Sequence, residues 1–259
     1  MRVLYAAMYN DPTDPMAASG VDYNYYAQIL KYATEVRIVG PFRVDGWFPE
    51  RVFKRLYTRV TGKRYMKWNL RSIYMATKGL NSLEREWKPD VVFSMFPSNL
   101  AFYNGQAPSV FATDLAFQTW QAHGANFGWM AFLFQVWLEK RAVRRSARVI
   151  AVSYQLKEDL VRYHKVNPSK IVVIPLGAAI PPEVIPRLDD FSVEKKLEYP
   201  LRLLLVGREF HRKGVDIAIE IVNLLNCQGI PAELTVCGLV GPEAPYVRYV
   251  GLLNKKDPS

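Results

Sequence analysis

The chain has 259 residues, half of them apolar, and a formal charge of +10 at pH 7. That length supports a substantial core and that apolar share excludes a disordered polyelectrolyte. The longest apolar run, residues 127–138, has Gln135 inside it and falls well short of the roughly 20 residues that cross a bilayer; it reads as a buried helix or as one lying flat on a membrane. The charge is uneven, because residues 43–88 carry twelve Lys/Arg against four Asp/Glu. A basic face of this kind suits nucleic acid, anionic lipid or an acidic substrate, and charge alone does not choose among them.

Met1-Arg2 runs directly into the strand-like Val3-Leu4-Tyr5-Ala6-Ala7, which leaves no signal peptide to be read there. A loop over 8–19 follows, and Gly20 opens a helix predicted over 21–32. A glycine between strand and helix lets a ligand approach the backbone, and equally it makes a tight turn; one glycine is not a G-x-G-x-x-G fingerprint. Residues 36–39 read as a second strand. Between 50 and 60, Val52, Phe53, Leu56, Tyr57 and Val60 fall on one helical face opposite Arg51, Lys54, Arg55 and Arg59. Such a basic amphipathic helix lies on an anionic membrane or packs with its charged face in water. A longer helix is predicted over 68–87.

From there the alternation is regular. Strands are predicted at 91–94, 109–112, 149–153 and 171–174, with helices over 129–145 and 155–163. Strands alternating with helices predict an α/β fold with a doubly wound parallel sheet. Four prolines between 175 and 186 and a charged stretch up to Pro200 read as a hinge, giving a first domain over 1–180, a linker over 181–200 and the start of a second domain over 201–259.

The second domain opens with Leu203-Leu204-Leu205-Val206, read as a buried parallel strand that ends at Gly207. The loop after it holds Arg208, His211, Arg212 and Lys213 and leads into a helix over 215–228. This is the layout of an anion site, because a helix after a strand offers free N–H groups and the positive end of its dipole. Arg208 supplies a bidentate fork and Lys213 a mobile charge, a pair suited to a diphosphate; a solvated basic loop is the other reading of the same residues. A further strand is predicted over 233–238 and a short one at 249–251. Cys227 and Cys237 stand at no metal-ligand spacing and read as buried free thiols of a reducing compartment.

Gly207-Arg208-Glu209-Phe210 with Arg212-Lys213-Gly214 resembles the donor-phosphate loop of retaining GT-B glycosyltransferases of family 4, also called group 1. Upstream, Val149-Ile150-Ala151-Val152-Ser153, then Tyr163-His164-Lys165-Val166, then Lys170-Ile171-Val172-Val173-Ile174-Pro175-Leu176-Gly177-Ala178 look like that family's ordered motifs. The resemblance implies two Rossmann-like halves, complete in the first and only begun in the second. The acceptor would be bound by the first half and the nucleotide-sugar donor by the second.

Carried onto this sequence, it implies that Arg208 and Lys213 hold the donor diphosphate and that Ser19 and Gly20 approach the donor from the first domain. Departure of a nucleoside diphosphate builds negative charge, and one fixed donor to such charge is worth about 3 kcal/mol of barrier without a bound metal. Family members often carry a histidine after the fourth strand; here that place is Thr113-Asp114. Asp114 is therefore the candidate catalytic group, accepting from a sugar or acceptor hydroxyl, or else a helix cap. His123 reads as structural or surface, with an accessory role in the site as its other reading, and His211 as an accessory in the phosphate loop. The family's E-x7-E pattern does not occur after Gly251, so a fragment with weak or absent activity is expected.

The co-substrate implied is a nucleotide-sugar, with no metal or other cofactor. The acceptor is left open between lipid-linked and polysaccharide classes, and the location implied is cytoplasmic, with peripheral contact at the membrane inner face. Nucleic acid is not expected, since there is neither zinc spacing nor a recognition-helix signature, and neither a G-x-S-x-G nor a P-loop motif is present. The alternative of another class is a non-catalytic GT-B-like protein that binds an anionic surface through its basic first domain.

Overall fold

The computed structural model describes residues 1–15, 17–42, 46–65, 69–177 and 198–253. The chain divides into two compact units, Met1–Ala179 and Ile180–Ser259. The linker expected over 181–200 lies outside the described residues as far as 197.

The first unit runs β1 (Arg2–Ala6), α1 (Val21–Tyr32), β2 (Glu35–Val39), α2 (Phe48–Thr61), α3 (Leu70–Trp87), β3 (Val91–Ser94), α4 (Pro97–Leu100), β4 (Ser109–Thr113), α5 (Phe117–Ala122), α6 (Trp129–Arg145), β5 (Arg148–Ala151), α7 (Tyr154–His164) and β6 (Ile171–Val173). The strands pair in parallel in the order β2-β1-β3-β4-β5-β6. Strand order reverses between β1 and β3, so the crevice beyond their carboxyl ends is the switch point where an open α/β sheet takes its ligand.

Alternation along the strands builds two cores. Leu4, Ala6, Val92, Phe111 and Val149 pack with Leu80, Val143 and Leu160 on one face, while Val3, Tyr5, Ala7, Phe93 and Ala112 pack with Tyr25, Tyr26 and Ile29 of α1 on the other. Burial on both faces is why these strands read as near-continuous apolar runs. Helix starts follow their polar residues: Asn69 Oδ1 accepts from the Ser72 amide at 2.7 Å and Ser153 Oγ from the Leu156 amide at 3.1 Å.

The second unit holds β7 (Leu201–Val206), α8 (Val215–Cys227), β8 (Ala232–Cys237) and β9 (Val247–Gly251), a parallel sheet in that strand order. Val215 and Val222 of α8 pack on Ala232, Leu234 and Val236.

Three expectations are corrected here. β7 is not buried on both faces: Leu203 and Leu205 join the core, but Leu204 and Val206 are exposed, because α8 covers one side of the sheet. The run over 127–138 is buried on one side only. Ala131, Gln135, Leu138 and Ala142 form the inward stripe of α6, and Trp129, Met130, Leu133 and Trp137 point to solvent. Cys227 is exposed and Cys237 half-buried, each at the last position of its element, so neither is the buried thiol expected. Helices α4 and α5 were not foreseen; each is too short to show a period.

Candidate functional site

The loop between β7 and α8 is held by its own backbone. The amides of Lys213, Gly214 and Val215 donate to the carbonyls of Glu209, His211 and Phe210 at 3.0, 3.1 and 3.0 Å. Gly214 then enters α8 with φ 70°, a left-handed value that suits glycine. Gly207 allows the closest approach: a Cβ there would meet the Lys213 Cγ at 2.7 Å, so the lysine stem lies directly on the end of β7.

The charges of this loop divide into two sets. Arg212 donates to Glu209 Oε1 at 2.6 Å, and His211 Nδ1 donates to Asp216 Oδ2 at 2.9 Å. Arg208 and Lys213 are exposed and form no ion pair among the described residues. The expectation of free helix amides changes accordingly. His211, and after it the Ile217 amide, bind the Asp216 carboxylate and hold it below the usual aspartate range. The first turn of α8 thus carries its own carboxylate, and the attraction for an outside anion falls to Arg208 and Lys213.

The first unit repeats the device. Gly20, at φ 83°, caps α1 without a side-chain bond, and Gly20-Val21-Asp22 matches Gly214-Val215-Asp216 residue for residue. This repeated tripeptide is a signal that reading for longer repeats passes over. Asp22 is 3 % exposed and accepts from Tyr5 OH and Asn10 Nδ2, both at 3.1 Å. Burial raises its carboxyl, against the hydrogen bonds from Asn10 and Tyr5; burial first and the Asp22 charge second keep the Tyr5 phenol protonated far above the usual tyrosine range. Ser19 lies in the short turn Ala17–Gly20 just before α1.

Asp114 is exposed in the turn after β4. The cap position of α5 belongs to Ala116, so the helix-cap reading of Asp114 is set aside. Burial, and after it the Asp114 charge, raise the phenol of Tyr25 on α1. His123 ends α5, and its Nδ1 donates to the Thr119 carbonyl at 2.8 Å within its own helix, as a structural histidine does.

Two groups were missed from sequence. Glu139, 3 % exposed, accepts from the Phe117 amide through both oxygens at 3.2 and 3.0 Å and from His164 Nε2 at 2.8 Å. It therefore fixes the start of α5, three residues beyond Asp114. At the switch point, Ser94 Oγ and Asn99 Nδ2 both donate to the Ala6 carbonyl at 2.9 Å. Ser98 Oγ, Asn99 Oδ1 and the Gln135 amide atoms are buried with no partner among the described residues. Pairings across 25 residues or more leave no local pattern in sequence. No group of His, Cys, Asp and Glu able to hold a metal occurs among the described residues.

Two Rossmann-like units, each with polar groups gathered beyond the carboxyl ends of its strands, are the build of the GT-B fold. The profile of Glycosyltransferase Family 4 matches residues 30–179, more than half of the chain, and the protein belongs to that family. Solved structures of the same fold include WaaG, a glycosyltransferase involved in lipopolysaccharide biosynthesis. It is 14 % identical over 99 % of this chain and 71 % of its own, with a TM-score of 0.59. Sucrose-phosphate synthase from Thermosynechococcus elongatus is 12 % identical over 98 % and 71 %, with a TM-score of 0.58. The lipopolysaccharide outer core galactosyltransferase WaaB, in its apo form, is 10 % identical over 99 % and 69 %, with a TM-score of 0.53. At such identities the likeness is one of fold. No curated protein sequence matches the chain significantly.

Proposed function

We propose that the chain takes a sugar from a nucleoside diphosphate sugar and delivers it to an acceptor hydroxyl with retention of anomeric configuration. The observation that carries this reading is the β7–α8 loop, where hydrogen bonds to carboxylates engage Arg212 and His211 and leave Arg208 and Lys213 exposed, with the Lys213 stem against Gly207. In transfer, the bond from the anomeric carbon to the phosphate oxygen breaks, the acceptor hydroxyl oxygen takes its place on the same face, and the hydroxyl proton passes to the departing diphosphate. The leaving diphosphate gains charge, which Arg208 and Lys213 stabilise more in the transition state than in the bound donor. Asp114 accepts from a sugar or acceptor hydroxyl and offsets positive charge at the anomeric carbon. Ser19 and Gly20 border the donor, and the acceptor is a lipid-linked sugar or a polysaccharide. Neither metal nor other cofactor enters the scheme, and the location proposed is cytoplasmic.

A panel of uridine, guanosine and adenosine diphosphate sugars tests this by thermal shift. A ligand at a hundred times its Kd stabilises the folded state by about 2.7 kcal/mol, several degrees for a chain of this size. At least one member should raise the melting temperature by that much while the free sugars do not. A panel with no such member would contradict the donor reading, and an inverted product anomer by NMR would contradict retention.

A further inference from the structure

α2 packs little of itself against the protein. None of its residues is buried; Phe48 is 69 % exposed, Leu56 58 % and Val60 76 %. At about 100° per residue, Val52, Leu56 and Val60 fall in one arc, with Arg55 and Arg59 on its border and Arg51 and Lys54 beyond them. The stretch from Trp47 to Tyr65 carries six cations and one carboxylate. That carboxylate, Glu50, is drawn inward, where its Oε1 accepts from the Leu70 amide at 2.8 Å and caps α3. The cations, by contrast, are exposed.

The apolar surface continues past the helix. Beside the start of α2, Trp47, Phe48, Phe53 and Tyr65 wall a largely apolar groove of about 670 Å³. At its other end, the Arg64 amide donates to the Asn126 carbonyl at 2.8 Å and the Gly128 amide to the Arg64 carbonyl at 3.0 Å. A Cβ on Gly128 would collide with the Tyr57 hydroxyl, so the glycine makes room for the tyrosine side chain of α2 beside the start of α6. The staple brings the first turn of α6 beside the last turn of α2, where Trp129, 69 % exposed, and Met130 extend the apolar surface.

We infer that this surface docks the protein on an anionic lipid bilayer, with the Val52–Leu56–Val60 arc and Trp129 in the headgroup boundary and Arg51, Lys54, Arg55 and Arg59 at the level of the phosphates. Charge complementarity selects the occupant. A nucleic acid would satisfy the cations and leave the apolar arc in water, whereas an anionic bilayer takes both at once. Docking of this kind holds the enzyme beside lipid-borne hydroxyls without a spanning segment, and no helix among the described residues is long and apolar enough to cross a membrane.

Co-sedimentation of the full chain with vesicles tests the inference independently of any transfer activity. Mixed phosphatidylglycerol and phosphatidylcholine vesicles should take up the protein at least tenfold better than phosphatidylcholine alone, and less at high salt. Reversing the charges with R51E/K54E/R55E/R59E should lower partitioning about a hundredfold or more. V52S/L56S/V60S, which keeps every charge, should lower it about tenfold. All seven residues are exposed, so circular dichroism melts of both variants should match the parent. Equal uptake by neutral and anionic vesicles would overturn the inference, as would a serine variant that binds like the parent. A lipid-free dimer that the serine variant abolishes would overturn it too, since the face would then meet a second copy of the chain.

Discussion

Asp22 and Asp216 occupy the same position in two helices and meet opposite surroundings. Asp216 is half-buried and is lowered by His211, whereas Asp22 is buried against Tyr5 and Asn10 and is raised by that burial. A carboxyl raised on folding favours the protonated form, so its contribution to stability is full below the unfolded value, about 3.9, and is lost as pH climbs through the folded one. Asp22→Asn removes this loss and keeps an acceptor for the Tyr5 hydroxyl. The melting temperature of Asp22→Asn relative to the parent should therefore rise between acid and neutral pH, and a relative fall would contradict the assignment. Comparing the two proteins cancels the opposite trend from Asp11, lowered by its hydrogen bonds from Thr13, and from Asp216. Neither environment was legible in sequence, because Gly-Val-Asp is the same tripeptide in both places and only the fold distinguishes them.

At the scale of elements, the ends of β7 and β8 decide how the phosphate loop is presented. The Gly207 amide donates to the Cys237 carbonyl at 2.9 Å and the Gly238 amide to the Gly251 carbonyl at 2.7 Å. Gly238 sits at φ 105°, and a Cβ on it would meet the Gly207 carbonyl oxygen at 2.6 Å. Gly238→Ala combines a strained backbone with a backbone clash that no rotamer relieves, so urea unfolding should show a loss of about 2–4 kcal/mol. A loss below about 0.5 kcal/mol, the range of ordinary surface changes, would contradict this geometry. The strands themselves were legible, since parallel strands in a covered sheet carry long apolar runs. Leu203 to Val206 showed the weakness of that rule: a strand covered on one face has the same composition as one covered on both. The apolar run of α6 misled in the same way, because half of its large side chains face solvent.

At the scale of the molecule, the order of strands carried the fold class and the motifs from Val149 to Ala178 carried the family, whose profile matches residues 30–179; both depend on sequence order. What the loop offers a ligand did not follow from its composition. Four cations in eight residues read as a uniform basic loop, and only the structure separates His211 and Arg212, engaged by Asp216 and Glu209, from Arg208 and Lys213. The expected supply of helix amides changed for the same reason. Titration calorimetry with a nucleoside diphosphate sugar found in the thermal-shift panel therefore tests the central claim most directly. Arg208→Ala and Lys213→Ala should each weaken binding about tenfold to a hundredfold, the worth of a charged hydrogen bond to phosphate, while Arg212→Ala should cost less. Unchanged affinity in both Arg208→Ala and Lys213→Ala, with the ligand still bound by the parent, would contradict the account.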